Sequence, residues 1–597
     1  MYVTTFYSFR GGVGRTMSLV NIAAHLAETG RRVLIVDFDL EAPGIGTYQS
    51  MGNPAGESNG LVDYVKKYLE TSVVPDLPEF VYEPSLKIGG SGELWVMPSG
   101  REDALYSSRL NSVDWADLYS RREGYLLFEE LKAQWRKYLN PDYVLIDSRT
   151  GHTEVGGICT RQLADAVVAL FVPTEQNLGG LQKVIADVKA ESPKKQIRIH
   201  YVMSNVPDLD DEYDVVARRL TLFKQGLGFT ELSATIHHYP SLELMEQPIF
   251  TIGRPTSRLA KEYVTLADAI IRSNLRDREG ALSRLRDARV SLSASELDLI
   301  RSEYAKDGDV LFELGKAHFK AARLDEALAL LNAAERNGCK AGELYVIRAA
   351  LNSRGTDHSA VTDDLLKALH FKMSPAALGG VVHQLVNIQP ESLRALAESI
   401  AFDSLNLRAK IAIAKELAMD ARTVRLGEPL LRRLIAEANG DQDVLLESTK
   451  WFPLVLIAAG LPGEALMILK YTREQAGRPA LPDAFNLAMA SWAATREISK
   501  ELFKEVMDAA VLDPNPALRT SPNFNQALAM SYWAAGDLKK AAEYLSLSRK
   551  QIADYPFPEF SCWRYLKVSS AEFSQDLDAM ERMFNGEKIL PAFMSAR

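Results

Sequence analysis

The chain has 597 residues, too many for one hydrophobic core, so two or more domains are expected. Hydrophobic residues make up 47% and charged residues 25%, ordinary for a globular protein; the formal net charge of -9 argues against wholesale wrapping of nucleic acid but leaves room for a local basic patch. Three cysteines, Cys159, Cys339 and Cys562, lie without paired spacing, which argues against a disulfide framework or a zinc site and fits a reducing compartment.

Met1 to Phe9 lack the basic start and long apolar core of a signal peptide, and no uncharged apolar run is long enough to cross a bilayer. A cytoplasmic protein without a membrane span is expected. The run Tyr2–Phe9 reads as a strand, though a weaker one than those that follow. It leads into Ser8-Phe-Arg-Gly-Gly-Val-Gly-Arg-Thr16, and a helix is expected from there to about Thr29, stopped by Gly30. Glycines 11, 12 and 14 allow backbone N–H groups to curl around phosphate oxygens, and the helix N-terminus adds partial positive charge. Thr16 places a hydroxyl where phosphate-binding loops ligate Mg²⁺.

Val33–Phe38 is almost wholly apolar or β-branched and predicts a strand buried on both faces. It runs into Val36-Asp-Phe-Asp-Leu-Glu-Ala-Pro-Gly44, which places Asp37 and Asp39 at the C-terminal end of a parallel strand, where such sheets bind ligands. A long irregular stretch from Gly46 to Tyr125 follows, with one strand expected at Leu94–Met97. Further strands are predicted at Tyr143–Asp147, Ala166–Val172 and Ile197–Met203. Strands alternating with helical stretches make residues 1–275 a parallel α/β sheet domain.

Beyond about Ser273 the strand pattern stops, and residues 276–597 read as all-α. Leu311, Leu314, Gly315, Ala327, Leu331 and Ala334 follow the small-and-large pattern of a tetratricopeptide repeat. The placement recurs at Gly460, Ala465 and Leu469, and at Tyr532, Gly536, Ala541 and Leu545. The three alanines are 138 and then 76 residues apart, close to four and two 34-residue repeats with insertions. A generic helical bundle, its alanines merely good helix formers, is the competing reading.

With these residues in view, Arg10-Gly-Gly-Val-Gly-Arg-Thr16 resembles the deviant Walker A loop, Lys-Gly-Gly-x-Gly-Lys-Thr, of the MinD/ParA family of P-loop ATPases. Both lysines are replaced by arginine. The resemblance implies ATP and Mg²⁺ as ligands, with Gly11, Gly12, Val13, Gly14, Arg15, Thr16 and Met17 at the phosphates. It gives Arg15 the β/γ-phosphate contact and Arg10 the reach across a nucleotide-sandwich homodimer. It gives Asp39 the attacking water, and Asp37 and Asp147 the Mg²⁺ shell beside Thr16. Ser148 to Gly151 would sense the γ-phosphate; relatives carry prolines there, and Arg149 either forms a salt bridge or adds a phosphate contact. Asn205 is the base-reading candidate, with Pro240 and Pro248 in the loop flanking the base. His237 and His238 read as structural, having no third ligand at zinc-like spacing. A Rossmann dinucleotide site using Gly12, Gly14 and Asp37 is the rival, but it wants Gly or Ala where Met17 stands.

The resulting expectation is a nucleotide-controlled switch with slow turnover, which dimerises on ATP and addresses a protein partner through helical repeats. The alternative is a non-hydrolysing, ATP-bound scaffold. A bacterial tyrosine autokinase is disfavoured because Met580 to Arg597 contains no tyrosine. Membrane recruitment through a terminal amphipathic helix finds no support in the short, mixed run Ala579–Phe584.

Overall fold

The computed structural model describes residues 1–191, 195–207, 213–245, 248–289, 291–355, 358–438, 442–475, 480–512, 520–552 and 559–595. The chain divides into two compact units, Met1–Ala317 and His318–Arg597.

The first unit is built on a parallel seven-stranded sheet. Its strands are β1 (Tyr2–Ser8), β2 (Arg32–Phe38), β3 (Glu93–Met97), β4 (Tyr143–Ser148), β5 (Ala166–Phe171), β6 (Arg198–Val206) and β7 (Ala234–His237), in the order β3-β2-β4-β1-β5-β6-β7. Every residue of β4 and β5 is buried, as expected for strands covered on both faces. The period of two sorts the apolar residues between the layers. Val33, Ile35 and Leu145 pack with Leu19 and Ile22 of helix α1 (Arg15–Glu28) and with Tyr263 and Ile270 of helix Arg258–Ser273. Leu34, Val36, Val144 and Ile146 pack on the other face, against Leu61, Val65, Leu131 and Trp135.

The six strands read from the sequence are present within a few residues of the expected bounds, and α1 ends at Glu28 with Gly30 at φ 92°. The seventh, β7, has only four residues, too short to show an alternation. From β1 the chain goes to one side of the sheet, to β2, and later to the other, to β5. The C-terminal end of β1 therefore lies at the switch point where open α/β sheets form a ligand crevice.

The first compact unit continues well past residue 275, where the strand pattern ends. Asp277 holds it there: its carboxylate takes the Arg31 guanidinium (Nε 3.1 Å) and the Tyr143 hydroxyl (3.0 Å). Glu296 pairs with Arg198 of β6 at 3.0 Å. Helices Arg278–Arg286 and Ala294–Glu303 thus belong with the sheet although their sequence is purely helical in character.

In the second unit successive helices pack on one another, such as Leu407–Ala418 on Val424–Glu437 and Pro522–Ala535 on Leu538–Ile552. The three pattern alanines, Ala327, Ala465 and Ala541, are fully buried, and Gly460 and Gly536 take positive φ at helix ends. This half is mostly helical and also carries a short antiparallel pair, β8 (Glu559–Ser561) with β9 (Leu566–Val568), and the Lys567 amide donates to the Met419 carbonyl at 3.1 Å. Three-residue strands carry too little periodicity to be read. Among the described residues no helix is long and apolar enough to cross a membrane.

Candidate functional site

The turn from β1 into α1 forms an open loop. Gly12 and Gly14 both sit at φ 75°, a left-handed conformation that other residues adopt at a cost. A Cβ added at either would meet nothing within 4 Å, so the requirement is conformational and the space before the loop is open. Gly14 is the N-cap of α1 and offers no side-chain cap, which leaves the first-turn N–H groups to another acceptor. The loop's carbonyls are tied back instead. Ser204 donates to the Val13 carbonyl at 2.5 Å, Asn205 Nδ2 to that of Gly12 at 3.0 Å, and Ser8 to that of Arg10 at 2.8 Å. With these carbonyls occupied and the first-turn N–H groups of α1 free of a side-chain cap, the loop keeps donors to offer, as an oxyanion site requires.

Three carboxylates converge below the loop. Sheet register places Asp37 of β2 beside Asp147 of β4, both fully buried. Thr16 donates its hydroxyl to Asp147 Oδ2 at 2.6 Å. Asp37 accepts the Asp39 amide at 3.0 Å and the Ile45 amide at 3.4 Å. The compensating cation is Arg15, whose Nε lies 2.5 Å from Asp147 Oδ1 and whose Nη2 pairs with Asp39. Its Nη1 faces the Ser8 hydroxyl at 3.4 Å.

Burial, then the neighbouring Asp147 charge, pushes the Asp37 carboxyl well above the ordinary carboxylate range. Burial also raises Asp39, and the Arg15 guanidinium opposes that rise without cancelling it. For Arg15, burial alone would lower the pKa, but Asp147 and Asp39 outweigh it and the net shift is upward. Asp147 and Asp39 on the guanidinium, with Asp37 in register beside Asp147, gather hard oxygen donors of the kind a divalent cation takes. Among the described residues no group of three or more His, Cys, Asp or Glu could hold a metal by itself. Mg²⁺ in phosphate sites takes one or two side chains and completes its shell with water and phosphate oxygens. Thr16 with Asp147, backed by Asp37, fits that smaller donor set.

Above the acids lies a cavity of about 420 Å³ lined by Ser8, Gly11 to Met17, Asp39, Glu41, Ala42, Arg149 and Thr150. A larger hollow of about 650 Å³ elsewhere on the same unit is lined by Tyr68, Asp76, Glu123, Glu129 and others, and contains none of the phosphate-loop residues. Arg10 is exposed at the loop and makes no ion pair among the described residues. Arg149 pairs with Glu41 at 2.6 Å, fulfilling the salt-bridge alternative. Asn205, at φ 55°, uses both ends of its amide: Nδ2 on the Gly12 carbonyl and Oδ1 near His238 Nδ1 at 3.2 Å. His237 bonds Glu262 at 2.7 Å, and Pro240 opens a short turn, Pro240–Leu244.

The two arginine pairs differ in strength. Removing one partner of a buried pair costs about 3–5 kcal/mol, and an exposed pair is worth about 0–1 kcal/mol. Arg15 and Asp147 are 8% and 0% exposed, whereas Arg149 and Glu41 are 32% and 58% exposed. Arg15 is therefore fixed and Arg149 is loosely held. Sequence reasoning gave Glu41 no role, and nothing local marks it. Its partner follows the neighbouring strand β4, more than a hundred residues away in the chain.

Comparison with known proteins adds to this geometry. A family model described as an AAA domain matches residues 1–55. Over 200 residues the chain is 26% identical to the septum site-determining protein MinD of Helicobacter pylori, covering 33% of this chain and 63% of that protein. The N-terminal part is similar to MinD. An uncharacterised protein of Mycobacterium tuberculosis is 28% identical over 282 residues, 44% of this chain and 76% of its own length. Among solved structures, the MinD cell division protein of Aquifex aeolicus aligns at 19% identity, covering 45% of this chain and 97% of that one, with a TM-score of 0.33. Each of these matches covers less than half of the chain.

Proposed function

We propose that the protein is a MinD/ParA-type ATPase switch. The observation that carries this reading is the glycine loop, with Gly12 and Gly14 at positive φ, leading into Thr16, whose hydroxyl bonds Asp147 beside Asp37. In this reading Gly11 to Met17 bind the triphosphate, and Thr16 and Asp147 hold Mg²⁺ with Asp37 behind them. The cation, when bound, offsets phosphate charge and polarises the γ-phosphoryl group. Asp39 orients water or accepts its proton, and Arg10, exposed and without an ion pair among the described residues, reaches the nucleotide of a second copy. Asn205 borders the base. The helical unit acts as a tetratricopeptide-like reader that meets a protein partner in one nucleotide state.

Slow intrinsic turnover follows from Arg15. Its guanidinium is committed to Asp39 and Asp147, so both the water-activating acid and the phosphate-side cation are partly withdrawn. The same ion pairs favour a second reading, a scaffold that binds ATP without hydrolysing it.

Calorimetric titration with ATP and with ADP, each with Mg²⁺, combined with light scattering, tests the switch. Binding of both nucleotides and a doubling of mass with ATP alone are expected. Binding without any change in mass supports the scaffold, and no binding at all overturns both readings.

A further inference from the structure

A triphosphate brings more negative charge than a diphosphate, and the site must answer it with a cation that is free to move. Arg15 is poorly placed for that task, because its Nε, Nη1 and Nη2 already face Asp147, Ser8 and Asp39. Arg10 is exposed and does not line the cavity. Arg149 does line it, and its one ion pair among the described residues is with Glu41, on the loop that follows β2.

The loop bearing Arg149 is pinned on both sides. Ser148 is buried at the end of β4, and the Gly151 carbonyl accepts the Tyr7 hydroxyl at 3.2 Å. Between these anchors Arg149 and Thr150 border the cavity, so a long side chain can change partner without moving the backbone far. Glu41 lines the same cavity and lies in the chain just beyond Asp39. The pair thus joins the loops after β2 and β4.

We propose that the Glu41–Arg149 pair is a latch, and that Arg149 leaves Glu41 for the γ-phosphate when a nucleoside triphosphate binds. Arg149 is then the residue that distinguishes triphosphate from diphosphate, and Glu41 is the competitor that sets the threshold. Guanidinium suits this exchange because its fork pairs equally well with a carboxylate and with phosphate oxygens. The inference rests on the nucleotide-site reading above and adds a specificity-determining pair to it.

The test is equilibrium titration of the full chain, with Mg²⁺, using ADP and the slowly hydrolysed analogue ATPγS. Arg149→Ala is expected to weaken ATPγS about tenfold, the order of a charged hydrogen bond, with ADP affinity nearly unchanged. Arg149→Lys should recover part of the loss, and Glu41→Gln should tighten ATPγS severalfold over ADP. Unchanged ADP binding doubles as the check that the variants fold. Equal weakening of both nucleotides, or of neither, overturns the latch while leaving the nucleotide site standing. If the wild-type chain binds neither nucleotide, the site reading itself fails and the latch fails with it.

Discussion

Arg15 shows how one substitution changes the character of a loop. A guanidinium reaches two carboxylates on different strand ends at once, which a single ammonium does less well. Replacing Arg15 by Met should strand Asp147 and Asp39 without a counter-charge and lower stability by about 3–5 kcal/mol. Adding Asp147→Asn to that variant should return much of the loss, and urea unfolding of the two variants beside wild type measures both. The glycines, Thr16 and the paired acids were legible because their spacing is local. The commitment of Arg15 to Asp39 and Asp147 was not, since it depends on how β2 and β4 align beside β1. Asn205 was located correctly at a strand end, but its tie to the Gly12 carbonyl and its contact with His238 are matters of tertiary structure.

At the scale of elements, the long apolar runs made β1 to β6 readable, while β7, β8 and β9 were too short to announce themselves. The strand β6 also carries a buried titratable group. His200 is 7% exposed, with Ser233 and Ser273 hydroxyls at 3.2 Å from its two ring nitrogens. Burial, and then the Arg198 and Arg272 charges, lowers its pKa from 6.5 to about 4. The folded form therefore favours neutral imidazole. Its contribution is whole above pH 6.5, declines as pH falls towards 4, and amounts to roughly 3 kcal/mol across that window. Wild type should lose more stability between pH 7 and pH 5 than His200→Gln does, as read from urea midpoints. Identical losses in the two proteins would place the acid sensitivity elsewhere.

For the molecule as a whole, composition located the change from sheet to helices but not the division into compact units. Asp277 and Glu296 are ordinary acids in helical sequence, and only the fold brings them to Arg31, Tyr143 and Arg198. A fragment of residues 1–317 should melt cooperatively and well above a fragment of residues 1–275, which lacks both acids; equal melting temperatures would place the domain boundary at about residue 275. The proposed switch runs on nucleotide turnover. Its most direct test is steady-state phosphate release from Mg²⁺–ATP by the wild-type chain and by Asp39→Ala. Slow release by wild type and loss of release in the variant, with ATP binding retained, are expected. Equal release by the two proteins would contradict the switch.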